Sequence, residues 1–286
     1  MAFTAAAALI TSVYALPSSK APAAKSGGGI PAIPGMKVAW SDDFSSGKLD
    51  TNKWQVITGT SQNEEQEVYG RDDCNVSGNS LKILPRKGSD GKWTSCRIET
   101  YHSWAPKHGG SVTFASRIKL GSGSVDQMKG VWPAFWALGQ SMRDTPKIDW
   151  PECGEIDTME NVSGESVLHG TLHCGPKCND NGPAGNNGLT AQTDIDRSQF
   201  ITYSHTVSAD KIELFKDGTS YKSINKDDIG ESWETFTKPF YIILNVAMGG
   251  SWPGVTDDAT AQGAPVGMEV EYVAVYESTE VDYRDQ

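Results

Sequence analysis

Basic residues are scarce in this chain: 25 Lys and Arg stand against 36 Asp and Glu, a formal charge of −11. Nucleic-acid binding needs a cationic face to replace phosphate counterions, so this balance excludes a nucleic-acid partner. It fits a neutral or weakly charged ligand such as a polysaccharide. Beyond the N-terminal leader no segment reaches the ~20 apolar residues of a membrane-spanning helix, and no membrane partner is expected. Long amphipathic helical periods and internal repeats are also absent. No carboxylate-rich loop of the EF-hand kind marks a dedicated Ca²⁺ site. What the chain has instead is turns and aromatics, with 30 Gly, nine Trp and nine Tyr in 286 residues, enough for one large β domain or two small ones.

The N-terminus reads as a secretory leader. Ala5 to Leu16 is apolar and rich in small residues, and Val13-Tyr14-Ala15 is a cleavage site, so residues 1–15 are expected to be a signal peptide. Residues 16–35 are Pro, Ser, Ala, Lys and Gly in the main and are expected to form a propeptide or flexible leader, with the folded domain at 36–286. A secreted, extracellular protein follows, and its five cysteines are then read as disulfides. Cys74–Cys96 and Cys174–Cys178 are the favoured pairs, leaving Cys153 over. The alternative is a zinc site built from Cys153, His173, Cys174 and Cys178, which requires adjacent residues of one strand to point the same way. Asn75-Val-Ser77 and Asn161-Val-Ser163 are glycosylation sequons, and the second is expected to go unused.

Periodicity is that of strands. Val112 to Leu120 alternates as a half-buried strand, and Lys211 to Lys216 runs into a tight turn at Asp217-Gly218. Phe240 to Met248 is apolar throughout, as a strand covered on both faces would be, and Met268 to Glu277 alternates again. Many short strands separated by Gly and Asp turns indicate an all-β sandwich or jelly roll. Residues 174–197 lack periodicity and read as a long loop edging the functional cleft.

The run Glu155-Ile156-Asp157-Thr158-Met159-Glu160 sets three carboxylates in an otherwise strand-favouring segment. Period-2 alternation puts Glu155 and Asp157 on one face but sends Glu160 to the other. A one-residue β-bulge returns Glu160 to the face of the first two and buries Met159. Three acids on one face repel one another, and the chemistry that uses such a pair or trio is glycoside cleavage. Retaining hydrolysis needs the two working carboxyls about 5–5.5 Å apart. Five residues of flat strand span ~16 Å, so the bulge, sheet curvature and two long Glu side chains must close the gap. Glu155 is expected to rest ionised and Glu160 protonated, within a trio that titrates as a unit.

Val167 to His173 should pair with the acid strand across a Ser163-Gly164 turn, bringing His169, Thr171 and His173 to one face. His169 is expected to be a hydrogen-bonded packing residue and His173 a functional one. Trp132, Trp136, Trp150 and Trp252 cluster around the same segments, and flat indoles pack against sugar C–H faces. Trp150 and Trp252 are the better platform candidates.

Several ordered segments resemble glycoside hydrolase family 16, and its laminarinase-like endo-β-1,3(4)-glucanases in particular. They are Asp42-Asp-Phe44 with Leu49-Asp50 and Trp54, Asn63-Glu-Glu-Gln66, Trp132-Pro-Ala-Phe-Trp136, and Glu155-Ile-Asp-Thr-Met-Glu160. His169-Gly-Thr-Leu-His173, Lys211-Ile-Glu213 with Asp217-Gly218, Asn245-Val-Ala-Met-Gly-Gly250 and Tyr272-Val-Ala-Val-Tyr276 complete the series, from about Trp40 to Tyr276. The resemblance implies a concanavalin A-like jelly roll with a concave sugar-binding cleft. It implies Glu155 as nucleophile, Glu160 as general acid/base and Asp157 as modulator of the nucleophile. Asn63, Trp136, Trp150, His173 and Trp252 would bind substrate. No cofactor or metal is needed for such catalysis, though the family permits a structural Ca²⁺ on the convex side. The partner implied is a β-glucan and the state a monomer. The alternatives are a galactan hydrolase, a transglycosylase, or a non-catalytic β-glucan-binding lectin. Gln140 to Asp149 and residues 174–197 depart from the family pattern.

Overall fold

A computed structural model describes residues 29–60, 62–107, 109–180 and 188–278. The expected signal peptide at 1–15 and most of the expected leader at 16–35 lie outside the described residues. The last leader residues touch the domain: Ile33 is buried, and the Tyr276 hydroxyl donates to the Pro31 carbonyl at 2.8 Å.

Two antiparallel sheets pack face to face in the jelly-roll arrangement the strand pattern suggested. One runs in the order Ala191–Asp194, Val167–His173, Glu155–Glu160, Val131–Gly139, Phe240–Met248, Arg97–Thr100 and Trp54–Val56. The other runs Thr219–Asn225, Lys211–Lys216, Ile201–Val207, Val112–Leu120, Met268–Ser278, Ser80–Ile83 and Cys74–Ser77, with Met36–Asp42 paired onto Met268–Ser278. Helical elements among the described residues are single turns such as Lys226–Ile229, and none is long and apolar enough to cross a membrane.

The parity of each strand divides core from cleft. In Phe240–Met248 the residues Ile242, Leu244, Val246 and Met248 join the inter-sheet core, while Tyr241, Asn245 and Ala247 face the cleft. Both faces are covered, which is why the run lacks polar alternation. Val131–Gly139 repeats the scheme, with Val131, Phe135 and Ala137 in the core and Trp132, Ala134, Trp136 and Leu138 on the cleft side. Asp217-Gly218 and Ser163-Gly164 turn with φ of 46° and 76°, and of 50° and 70°. Two consecutive positive φ values make the type I′ geometry that suits the right-handed twist of a hairpin.

Part of the expected 174–197 loop is a strand. Ala191–Asp194 pairs with Val167–Gly170 as the sheet's outer edge, and its polar, alternately exposed side chains hid it from a hydrophobic pattern search. Cys74–Cys96 and Cys174–Cys178 are bonded as favoured, and Cys153 is a free, buried thiol. The second bond consumes two of the four ligands that the zinc alternative needed. Asn161 is fully buried and its Nδ2 donates to the Glu165 and Val167 carbonyls, both at 2.8 Å, so the folded domain leaves no room for a glycan there.

His205 sits between the sheets with its ring stacked on Phe114 and Nδ1 2.6 Å from Thr158 Oγ1. Burial pushes its pKa down to about 3. The folded form therefore excludes a proton that the unfolded chain takes up below its ordinary value of about 6.5. The sign follows: stability is held above about 6.5 and falls as pH drops towards about 3, by roughly 5 kcal/mol at most. Urea titrations at a series of pH values should show this loss, and His205→Gln should flatten it. A variant whose acid sensitivity matches the wild type would exclude His205 as the source.

Candidate active site

The acid strand is bulged where the sequence required it. Trp136 pairs with Asp157 and Phe135 with Met159, so Thr158 has no opposite number; on the other side Asp157 pairs with Thr171 and Glu160 with His169. Thr158 and Met159 both turn into the core, each fully buried, and Glu160 comes back to the face of Glu155 and Asp157. The kink is held from the facing sheet. His205 meets the Thr158 hydroxyl, and the Tyr221 hydroxyl donates to the Thr158 carbonyl at 2.7 Å, a carbonyl displaced from the regular ladder.

A cleft of about 450 Å³ runs along this face, and Glu155, Asp157 and Glu160 form one wall. Each glutamate receives an indole N–H: Trp150 Nε1 donates to Glu155 Oε2 at 3.2 Å, and Trp132 Nε1 to Glu160 Oε1 at 2.9 Å. Asp157 and Glu155 lie side by side, with carboxylate oxygens within 4.8 Å of one another, so their protonation is linked.

Burial raises all three pKa values. Glu155 is held well above the usual carboxylate range by desolvation and then by the charge of Asp157. Asp157 and Glu160 are both pushed up to about 8, again by desolvation first. The expectation of an ionised Glu155 beside a protonated Glu160 is thus too simple: this burial favours the neutral form of each, and protons are shared within the trio.

Asn63, Trp136 and Trp150 line the same cleft. Trp136 is fixed on both sides, with Arg97 stacked 4.9 Å from its ring centroid and its Nε1 donating to Asn245 Oδ1 at 2.8 Å. Trp150, expected as a sugar platform, also holds Glu155 through its indole N–H. Trp252 projects from the cleft end with 45% exposure, its ring set edge-on to Trp132 and His169. His169 has both ring nitrogens engaged, by Glu165 and by Gln192, as a packing residue should. His173 lies behind the trio, with Nε2 3.4 Å from Asp157 and 3.9 Å from Glu155.

From the sequence, Trp132 ranked below Trp150 and Trp252, and Asn245, Arg97 and Asp180 were left out of the site. For Trp132 a signal existed: the alternation Trp132, Ala134, Trp136 places it on the cleft face opposite Glu160's strand. Glu155, Asp157 and His173 offer ligand atoms within 4.8 Å of one another, the composition of a small cation site. Those atoms already answer each other and the Trp150 N–H, the arrangement of an acid–base centre.

Residues 94–230 match the family described as "XgeA-like, catalytic GH16 domain". The endo-1,3-β-glucanase structure from Streptomyces sioyaensis superposes with a TM-score of 0.80 at 32% identity, covering 89% of this chain and all of that one. The β-glucanase of Rhodothermus marinus is 30% identical over 257 residues, 85% of this chain and 86% of its own length. The keratan-sulfate endo-1,4-β-galactosidase of Sphingobacterium multivorum is 31% identical over 255 residues, 84% of this chain and 55% of its own. The chain spans only 34% to 55% of the length of three such curated relatives.

Proposed function

Because the chain belongs to glycoside hydrolase family 16, we propose that it is a secreted endo-β-glucanase cleaving β-1,3 and mixed β-1,3/1,4 glucans such as laminarin with retention at the anomeric carbon. The observation that carries this reading is the bulge-made common face, on which Glu155 and Glu160 share one cleft wall with an indole donor apiece. Glu155 attacks the anomeric carbon while Glu160 passes its proton to the departing glycosidic oxygen. Glu160, now a base, takes a proton from water, which displaces Glu155 from the covalent glycosyl-enzyme. Asp157 carries the proton that would otherwise quench Glu155. The leader and the two disulfides support an oxidising, extracellular setting.

The keratan-sulfate relative makes a charged galactan the alternative substrate. The guanidinium groups of Arg97 and Arg143 are both paired with Glu99, which favours an uncharged sugar over a sulfated one. Reducing-sugar assays on laminarin, barley β-glucan, agarose and xyloglucan, with sizing of the products, test the assignment. Release of β-1,3-linked oligosaccharides from laminarin is expected; turnover of agarose alone would overturn it.

Trp132 provides a finer check. Its N–H favours the ionised form of Glu160, so Trp132→Phe should raise the pKa of the acid. A general acid works while protonated, and the alkaline limb of kcat/KM should therefore move to higher pH, with kcat reduced about tenfold at neutral pH. An unmoved alkaline limb would detach that limb from Glu160.

A further inference from the structure

Asp180 lies outside every motif that marks the trio, two residues beyond the loop closed by Cys174–Cys178, yet its side chain is fully buried against His173. Its two oxygens have separate tasks. Oδ2 accepts the backbone N–H groups of Cys174 at 2.9 Å and Gly175 at 3.1 Å, and Oδ1 stands 2.7 Å from His173 Nδ1. The opposite ring nitrogen faces the trio, 3.4 Å from Asp157 and 3.9 Å from Glu155.

We infer that Asp180 is a positioning residue for the catalytic trio: it holds the proton of His173 on Nδ1 and thereby presents Nε2 to Asp157 as the far end of an Asp180–His173–Asp157 relay. The geometry leaves Nδ1 one role, because a carboxylate already accepting two N–H groups accepts from the ring as well. Nε2 then serves Asp157 in either protonation state. Neutral imidazole accepts from the protonated acid, and imidazolium donates to the carboxylate, so one proton is kept between His173 and Asp157. The groups facing the ring are Asp180 from the loop and Asp157 and Glu155 from the acid strand, with Glu160 further along that strand; the Trp150 ring packs 5.4 Å away. The four-residue disulfide link ties the loop to the end of the strand that carries His173, so Asp180 is fixed relative to the ring it orients.

The role of Asp180 in turnover rests on the glucanase reading; the tautomer does not. Asp180→Asn keeps an oxygen for the Cys174 and Gly175 N–H groups but turns an amide N–H towards Nδ1. Long-range ¹H–¹⁵N spectra, with His173→Gln to identify the His173 signals, should show a protonated Nδ1 in the wild type and the Nε2–H tautomer in Asp180→Asn. On laminarin the variant should lose about 10- to 100-fold in kcat with KM within about twofold, the range seen when an orienting carboxylate behind a histidine is lost. An unprotonated Nδ1 in the wild type overturns the relay, even if Asp180→Asn fails to fold. A switched tautomer with unchanged kcat overturns the positioning role. A wild type inactive on every glucan would sink the glucanase reading and leave the tautomer result standing.

Discussion

Glu155→Gln is expected to lower kcat on laminarin by about 10⁴-fold or more, the scale of losing a covalent nucleophile. Gln is close to Glu in size and can still accept the Trp150 N–H through its carbonyl oxygen, so the fold and the cleft wall should survive. What is lost is the anion, and an amide does not attack an anomeric carbon. KM should change little, because the loss falls on the transition state. Glu155→Ala extends the test. It opens a space on the face from which Glu155 attacks, and azide entering there should restore turnover of an activated aryl glycoside with an inverted, α-configured glycosyl azide. Near-normal hydrolysis by Glu155→Gln, or a β-configured azide from Glu155→Ala, would remove Glu155 from the nucleophile's place.

The burial that raises the trio's pKa values gives this residue its difficulty and its use. An isolated carboxyl in this cleft would stay neutral and useless as a nucleophile. The nearby His173 and the N–H of Trp150 favour the anion against burial and the charge of Asp157, and they are the groups that let Glu155 carry charge without bulk water. A charge supported by fixed groups costs little reorganisation when it is passed to the sugar. The sequence suggested the three acids and their coupled titration but not the groups that support the charge, since burial and hydrogen-bond direction are properties of the folded cleft.

Strand parity was readable because it follows from local residue type. Glu155, Asp157 and the returned Glu160, the twofold-covered Phe240–Met248 strand and the Asp217-Gly218 turn could all be found without coordinates. Ala191–Asp194 could not, because an edge strand with polar, half-exposed side chains has no hydrophobic signature. Asp180 was hidden for another reason. Its partner His173 is seven residues away across a disulfide turn, and nothing in residue spacing distinguishes a buried aspartate from the polar residues around it. His205 and Tyr221 were beyond reach too. They secure the bulge from the opposite sheet, and sheet-to-sheet contacts have no fixed separation in sequence.

Glu160→Ala should fail in a different manner from Glu155→Ala, and the contrast tests the bulge as well as the residue. Without the acid, hydrolysis of laminarin should fall about 10³-fold or more, because the sugar leaving group needs its proton. An aryl glycoside with a low-pKa phenol leaves unaided, so Glu155 should still be glycosylated in a burst and the covalent intermediate should accumulate. Azide needs no base, and it should release that intermediate as the β-configured azide, opposite in configuration to the product from Glu155→Ala. This pair of outcomes requires both glutamates to face the same sugar from one cleft wall. Five residues of regular strand would put them on opposite faces, and here the unpaired Thr158 brings them together. An α-configured azide from Glu160→Ala, or unchanged laminarin hydrolysis, would mean that Glu160 is not the acid and that the kink at Thr158 aims a different group at the glycosidic oxygen.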